Sequence, residues 1–311
     1  MNKADSAYDP TRDFVGYGEA PPDPHWPGGA RLALSLVIAY EEGGEHAISN
    51  GDERGENHLL EYISLSPPPV GQRLLAAESQ YEYGSRVGIW RLIRLLVERK
   101  LTATVWAVGQ AVERNPLPVQ AMAKAGFEIA SHHYRWIDYQ EMPETQEREH
   151  LRKSVAAIEN AIGERPVGFF HWCGGNSRRL VVEEGGFLYD SEAYNDELPY
   201  WVEVTGRPHL VIPYALDNND YRYAHLTGWW ATGEAFFNYN KATFDQLYEE
   251  GERTPRMMTV GLHARLSGRP GRARALAKFL DYVLSHKDVW ICTRRQIAEH
   301  WRKVHPVEGG A

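Results

Sequence analysis

Apolar strand-like segments alternate with helix-like segments along most of the chain after Arg31, and this alternation constrains the fold more than any other feature. The first strand-like segment, RLALSLVIAY at 31–40, has the length of a buried strand and ends abruptly in the polar EEGGE. A helix-like segment at 84–100 and a strand-like segment at 102–109 come next. The pattern predicts a parallel sheet with right-handed crossovers, either closed as a barrel or doubly wound.

The other predicted elements continue this order to the end of the chain. Ser85 is available to cap the helix at 84–100, while Pro143, Gly163 and Pro166 punctuate a helix at 143–163. Helices are also predicted at 117–125, 244–249, 271–285 and after 293, and strands at 127–131, 167–170, 187–189, 209–214, 257–263 and 289–293.

Segments without this periodicity divide the chain. We expect an N-terminal arm at 1–30, rich in Pro, Gly and Asp, a single domain at 31–305, and a tail at 306–311. A long loop at 44–80 is inserted in the domain and contains three consecutive prolines. Loops of this length usually serve as lids, interface arms or flexible segments.

Charge and cysteine usage exclude several classes of partner and location. The chain has 34 Lys and Arg against 42 Asp and Glu, a formal charge of −8, and no clustered basic run, so we expect no nucleic acid or membrane partner. The longest apolar run, at 32–40, is too short to cross a bilayer. Cys173 and Cys292 show no paired spacing, and the N-terminus lacks an apolar signal region. A cytoplasmic protein with a small-molecule partner is therefore expected.

Several catalytic motifs are missing. There is no GxGxxG after the first strand, no P-loop, no GxSxG and no HExxH. The sequence therefore lacks the main motifs that would indicate a dinucleotide-binding protein, a nucleotide-binding protein or a serine hydrolase. Polar clusters at the carboxyl ends of predicted strands remain, which is where folds of this class place their sites.

The first polar cluster, Glu41 and Glu42 with Glu45, follows the most apolar strand. Adjacent carboxylates can hold one member as a base while the other binds a metal or pairs with a cation. A solvated turn is the alternative. The second cluster, at 131–139, places two His, an Arg, an Asp and three aromatic rings after a strand, and satisfied polar residues at a barrel rim are the alternative there.

Two further clusters have the same position relative to a strand. His263 and Arg265 lie in the segment GLHARLSGRP, where the His is suited to act as a general acid. The segment at 171–179, HWCGGNSRR, contains glycines that allow a ligand to approach and arginines that could face a carboxylate. Structural histidines and surface ion pairs are the alternatives.

Taken together, six segments resemble the polysaccharide deacetylase superfamily and, within it, the bacterial allantoinases built on the same scaffold. They are DFVGYGEAPPDPHWPGGARLALSLVIAYEEGGE, YEYGSRVGIWR, SHHYRWIDYQ with QEREH, RRLVVEEGGFLYDSEAYNDELPYW, PHLVIPYALDNND and GLHARLSGRP. The resemblance covers nearly the whole chain from Arg12. It implies an α/β fold, a distorted (β/α) barrel of the NodB homology type, and a homotetramer as in the related allantoinases.

The resemblance also implies roles for individual residues. The superfamily's Thr-Phe-Asp-Asp motif, with a base and a metal ligand, corresponds to Glu41 and Glu42, and its His-Ser-x-x-His motif corresponds to His132 and Trp136. One metal ligand is therefore lost, which the allantoinase group shares, and no metal is expected. His263 matches the late Leu-His motif, whose His is the general acid.

The segment at 171–175 departs from the allantoinase pattern. It is one residue shorter and lacks an early Arg, and Trp172 with His171 and Cys173 would make the pocket more apolar. His133 also replaces a glycine that is usual in the group. A rebuilt site for a divalent metal such as Zn, using Glu42 and His132 with His133 or His171, is a second possibility.

These observations predict a hydrolase that opens a small cyclic amide, ureide or imide. Glu41 would activate water, His132 and Arg265 would orient substrate or hold the oxyanion, and His263 would protonate the departing nitrogen. The predicted substrate-binding residues are Glu42, Tyr134, Arg135, Trp136, Trp172 and Arg265. Deacetylation of a small N-acetylated compound and a degenerate, non-catalytic scaffold are the alternatives.

Overall fold

A computed structural model describes residues 10–61, 67–172, 176–224 and 230–307 of the chain. Its strands form one mostly parallel sheet that curls around an interior of apolar side chains. The strands are β1 (Leu32–Tyr40), β2 (Thr104–Ala107), β3 (Glu128–Ser131), β4 (Gly168–Phe169), β5 (Tyr189–Asp190), β6 (Tyr200–Val204), β7 (Arg207–Val211), β8 (Arg256–His263) and β9 (Val289–Cys292).

Helices connect most of the strands and cover the outside of the sheet. They are α1 (Leu75–Tyr83), α2 (Ile89–Glu98), α3 (Gly109–Arg114), α4 (Leu117–Lys124), α5 (Glu144–Ile162), α6 (Ser177–Glu184), α7 (Gly233–Glu250), α8 (Ala264–Ser267), α9 (Pro270–Leu284) and α10 (Arg294–Val304). The expected α/β fold, a distorted barrel of the deacetylase type, is confirmed.

The strand order is β6-β7-β5-β4-β3-β2-β1-β8, and β9 pairs with the first half of β1. Among the strands that the structure describes, only the β6–β7 pair is antiparallel. An isolated parallel bridge joins Asn219, beyond β7, to Gly261 of β8. This bridge brings the two ends of the curled sheet together, so the carboxyl ends of β1, β3 and β8 face one cavity.

β1 lies at the centre of this arrangement because every one of its nine residues is buried. It pairs with β8 from Leu32 to Ala39 and with β2 from Val37 to Tyr40. A strand buried on both faces has a continuous run of apolar residues, which is why β1 could be predicted from the sequence.

The predicted helix at 84–100 is part of a longer helical segment. α1 leads into a π-helical turn at Gly84–Gly88, and α2 follows without a break. Ser85 is therefore inside the helical segment and caps nothing, which corrects the prediction. Its hydroxyl is 3.0 Å from the Asn115 side-chain nitrogen that donates to it, and 3.4 Å from the Tyr40 hydroxyl.

The amino ends of the strands are closed by the predicted N-terminal arm. Trp26 is buried among Trp290, Trp301 and Leu198, and its indole nitrogen donates to the Arg256 carbonyl at 3.0 Å. The imidazole of His300 lies 2.8 Å from the carbonyl of Pro24. The arm is thus packed against the barrel over its second half.

Some predicted elements differ from the observed ones. The inserted loop ends at Leu74, since α1 begins earlier than the periodicity indicated, and residues 62–66 of that loop lie outside the described residues. α7 is much longer than the predicted 244–249, and Thr232 caps it by accepting a hydrogen bond from the Ala235 amide. β6, α3 and α6 were not predicted because their segments are short and mixed in polarity.

The described residues also bear on the expectations about cysteine pairing and membrane-spanning segments. Cys292 is buried and unpaired, while Cys173 lies outside the described residues. Within the described ranges, no helix is long and apolar enough to cross a membrane.

Candidate active site

Three predicted catalytic residues meet at the carboxyl ends of the central strands. Glu41 follows β1, His132 follows β3, and His263 ends β8. The Oε1 atom of Glu41 is 3.4 Å from the Nε2 atom of His132 and 3.4 Å from the Nε2 atom of His263. One carboxylate oxygen therefore lies between two imidazoles that are far apart in sequence.

Arg265 holds the other oxygen of Glu41. Its Nη1 atom donates to Glu41 Oε2 at 2.7 Å, its Nε atom donates to the Leu59 carbonyl at 3.2 Å, and its guanidinium packs over the rings of Tyr81 and Trp136. Burial would raise the pKa of Glu41, but Arg265 and His263 hold it well below its ordinary value. Glu41 is thus a buried, ionised carboxylate.

His263 is oriented by an aspartate that sequence reasoning missed. The Nδ1 atom of His263 is 2.6 Å from Asp220 Oδ1, and Asp220 Oδ2 accepts the backbone N–H groups of His263 and Ser267. Burial alone lowers the pKa of His263, but Glu41 and Asp220 raise it to about 9. His263 is therefore protonated at neutral pH, with Nε2 directed toward Glu41.

His132 has the opposite arrangement of its ring nitrogens. Its Nδ1 atom lies 2.7 Å from the carbonyl oxygen of Phe170, which can only accept a hydrogen bond. Nδ1 must carry a proton, so Nε2 is the ring nitrogen that faces Glu41 Oε1. A carboxylate oxygen accepts, so Nε2 is the donor in this contact and helps to hold Glu41 ionised.

Glu42 points away from the cavity although it is adjacent to Glu41. Its side chain packs against Gly84 in the π-helical turn, where an added Cβ would lie 2.1 Å from Glu42 Oε1. Oε1 is 3.8 Å from Arg265 Nη1 and accepts no hydrogen bond. Burial raises the pKa of Glu42 to about 7, a rise that Arg265 opposes and Glu41 reinforces.

A cavity of about 330 Å³ opens over this cluster. Its lining combines the three catalytic candidates with mostly apolar and aromatic side chains. The described lining residues are Val37, Ala39, Glu41, His58, Leu59, Trp106, His132, Trp136, Phe170, Trp172, Tyr194, Tyr214, Leu216, Asn219, Tyr221, Leu262 and His263.

Of the predicted substrate-binding residues, only Trp136 and Trp172 line this cavity. Tyr134 donates to Glu113 instead, and Arg135 binds both oxygens of Asp52 and the carbonyl of Glu45. Because their polar groups are engaged outside the cavity, we remove both from the substrate-binding set. Glu42 and Arg265 lie behind Glu41 and are removed as well.

Arg135, which does not line the cavity, has a structural role. It explains how the inserted loop, whose residues were not predicted in the site, reaches the cavity. By binding Asp52 and the Glu45 carbonyl, it ties the inserted loop to the segment after β3. That loop delivers His58 and Leu59 to the cavity, where the His58 ring stacks on Trp136 at 5.9 Å between centroids. The length of the loop was the only signal in the sequence that it contributed to the site.

The deacetylase scaffold implies a metal, and the side chains here do not fit one. No group of three or more His, Cys, Asp or Glu side chains within the described ranges could hold a metal ion. Trp136 offers no lone pair where the superfamily motif has its second His, and Arg265 places a positive charge 2.7 Å from Glu41. A divalent cation at Glu41 would be repelled by that guanidinium.

The alternative metal ligands do not form a group of three that could hold a metal ion among the described residues. His133, in a left-handed conformation at φ 61°, stacks on Tyr139 at 3.8 Å with its Nε2 3.9 Å from Glu147. His171 is fully buried and stacks on Trp172 at 4.2 Å. The rebuilt site that combined Glu42 and His132 with either histidine finds no support among the described residues, because the Glu42 side chain packs against Gly84 rather than beside these rings.

Comparisons with known proteins agree with this geometry. The model of the polysaccharide deacetylase family matches residues 78–186. A Schizosaccharomyces pombe protein assigned by name to the polysaccharide deacetylases is 42% identical over 315 residues, with 95% of this chain and 98% of that protein covered. The chain belongs to the polysaccharide deacetylase family. It is accordingly a hydrolase of deacetylase ancestry.

Two crystal structures are similar to this family member over nearly its full length. One is a Pseudomonas aeruginosa protein described as a probable polysaccharide deacetylase, at 51% identity and a TM-score of 0.93, with 96% of this chain and 99% of that chain covered. The other is the PuuE allantoinase, at 50% identity and a TM-score of 0.93 with the same coverage. The resemblance inferred from sequence segments is confirmed.

Proposed function

We propose that this family member hydrolyses a C–N bond in a small cyclic amide, ureide or imide. The observation that carries the proposal is the placement of Glu41 Oε1 between His132 Nε2 and His263 Nε2 at the base of a cavity, with Arg265 behind it. Similarity to a protein named as an allantoinase, at 50% identity, supports the class of bond.

The first step of the proposed reaction uses Glu41 and His132. Water in the cavity loses a proton to Glu41 as its oxygen attacks the ring carbonyl, while His132 Nε2 orients the carboxylate. A new C–O bond forms, and the carbonyl π electrons move to the oxygen. Arg265 keeps Glu41 ionised until this step, because its guanidinium donates to the far carboxylate oxygen.

The second step uses His263. The tetrahedral intermediate collapses, the C–N bond breaks, and the nitrogen takes the proton from His263 Nε2. Asp220 stabilises the imidazolium before this transfer and fixes its orientation through Nδ1. The ring opens to a carboxylic acid and an amine, a urea or an amide, for a cyclic amide, ureide or imide respectively. The proton on Glu41 returns to His263 Nε2, 3.4 Å away, so the sum of the steps is the addition of one water.

Deacetylation of a small N-acetylated compound is the second candidate function. The family model and the named relatives favour it. It needs the same base and acid, with an acetyl carbonyl in place of the ring carbonyl. An extended glycan is disfavoured because residues of the inserted loop, His58 and Leu59, form part of the cavity wall.

A substrate screen on protein of known metal content tests the proposal. Allantoin, hydantoin, succinimide and N-acetylglucosamine are supplied with and without chelator, and ring opening or acetate release is measured. We expect ring opening that chelator leaves unchanged. Acetate release alone would favour the second candidate, and binding without turnover of any compound would favour a non-catalytic scaffold.

A further inference from the structure

The cavity walls outside the catalytic cluster are more apolar than the reaction requires. Trp106, Phe170 and Tyr214 form one aromatic group inside the barrel, with Trp106 stacked on Phe170 at 3.8 Å and in edge contact with Tyr214 at 4.5 Å. All three are buried together with Val37 and Ala130. We call Trp106, Phe170 and Tyr214 the interior group.

A second aromatic group lies on the other side of His132. Trp136 and Trp172 meet edge to face at 5.0 Å, and His58 stacks on Trp136. We call these three the rim group. The His132 ring is 5.4 Å from Phe170 and 6.2 Å from Trp172, so the attacking site lies between the two groups.

The polar atoms of the interior side are only partly engaged within the protein, since the indole Nε1 of Trp106 has no hydrogen-bond partner among the described residues. The Tyr214 hydroxyl accepts a hydrogen bond from Asn219 Nδ2 at 2.8 Å, and Asn219 Oδ1 accepts the Tyr221 amide at 2.8 Å. None of the described lining residues is an Asp, Lys or Arg, and the nearest guanidinium, that of Arg265, is committed to Glu41. A charged substituent would therefore lose its water without gaining a counter-charge, whereas a neutral polar one would find few donors, among them Trp106 Nε1 and the Tyr214 hydroxyl.

Resting on the proposed function, we infer that the substrate ring of this enzyme carries a flat apolar substituent that packs between the interior group and the rim group. The reacting amide would face Glu41 and His263. Tyr194 and Leu216, both partly exposed, extend the apolar wall to the cavity mouth. The ureido group of allantoin would cover less of these aromatic walls than a phenyl ring.

Three hydantoins that differ only at ring carbon 5 test the inference: unsubstituted hydantoin, 5-benzylhydantoin and allantoin, which has a ureido group there. We expect kcat/KM for 5-benzylhydantoin to exceed that for hydantoin by about 10-fold or more, since added apolar contact in a hydrophobic pocket has an effect of at least that order. We expect it to exceed that for allantoin by about 10-fold as well, because the ureido group covers less of the aromatic walls than a benzyl group.

Trp172→Ala removes one wall of the rim group and should reduce the ratio of benzyl to unsubstituted turnover by about 10-fold. Trp290→Ala is the matched control, because Trp290 is similarly half-buried but packs against Trp26 at the opposite end of the barrel. The control should leave the ratio unchanged. An unchanged ratio in Trp172→Ala would contradict the assigned contact.

The failure of this inference differs from failure of the proposed function. Turnover of hydantoin with allantoin preferred over 5-benzylhydantoin overturns the inference and upholds the function. Calorimetric binding of the three compounds to the wild type and to Glu41→Gln covers the case in which no ring opens. If 5-benzylhydantoin binds most tightly but no compound is hydrolysed, the assigned pocket stands and the proposed function is overturned. If neither a benzyl preference nor turnover is found, both the inference and the proposed function are overturned.

Discussion

The two ends of the barrel contain similar aromatic side chains in very different states. At the amino ends of the strands, Trp26 fills the space against Trp290 and Trp301. At the carboxyl ends, Trp106, Trp136 and Trp172 leave a cavity above three ionisable residues. The arm closes the first end, while the inserted loop supplies wall residues to the second and leaves it open. Packed aromatic side chains thus fill one end of the barrel, and aromatic side chains line a cavity at the other.

Glu41→Gln gives the largest effect expected from this contrast. The variant cannot accept a proton from water, so turnover of the best ring substrate should fall by about 1,000-fold or more. Steady-state kinetics measures the loss, and circular dichroism checks the fold. Glu42→Gln is the matched control at the neighbouring position.

Glu42→Gln should reduce turnover by less than about 10-fold, because Glu42 lies outside the cavity and its pKa of about 7 leaves it partly protonated at neutral pH. Equal losses in the two variants would contradict the assignment of Glu41 as the base. In Glu41→Gln, Arg265 still has the Glu42 carboxylate as a counter-charge, so that variant should remain folded.

Trp26→Ala tests the opposite end. Removing a buried indole should lower the free energy of unfolding by about 3 kcal/mol or more, as measured from urea midpoints. The kcat/KM of the protein that remains folded should be unchanged. Phe14→Ala in the same arm is the control, since Phe14 is 79% exposed and its loss should change stability by less than about 0.5 kcal/mol. A selective loss of kcat in Trp26→Ala would contradict the assignment of stability to one end of the barrel and catalysis to the other.

Asp220→Asn should affect the pH profile as well as the rate. Activity requires protonated His263, so kcat/KM of the wild type should decline above a pH of about 9, where that imidazolium loses its proton. Removing the Asp220 charge lowers the pKa of His263 and moves the alkaline limb to lower pH, with a rate loss of about 10–100-fold.

Asp245→Asn makes the same chemical change in an ion pair with Lys241 on the outside of α7. Its alkaline limb should coincide with that of the wild type. A limb that stays in place in Asp220→Asn would show that His263 is not the group that titrates there.

Gly84→Ala gives the smallest expected effect. The added methyl group would meet the Glu42 side chain, which is a flexible partner that can shift toward Arg265. We expect turnover to fall by about 3–10-fold, equivalent to about 1 kcal/mol, through altered support of Glu41. Gly271→Ala, with nothing within 4 Å of the new atom, should match the wild type. Identical kinetics for the two variants would show that the π-helical turn does not support the position of Glu41.

Periodicity in the sequence predicted the central strands because they are buried on both faces, and it predicted α5 because Pro143 and Gly163 bound it. It could not predict β6 or the full length of α7, whose residues are only partly apolar. It also ended the inserted loop too late, since the apolar and polar residues of α1 are hardly separated onto different faces.

The sequence by itself determined which strand ends carry ionisable groups, and hence that Glu41, His132 and His263 would meet. Only the tertiary structure decided what each of them does. The partners Arg265 and Glu41 are 224 residues apart, and Asp220 lies 43 residues before His263. Strand register and loop packing set such distances, and neither leaves a periodic trace in the sequence. The same holds for Glu42, which Gly84 accommodates on the far side of the strand end.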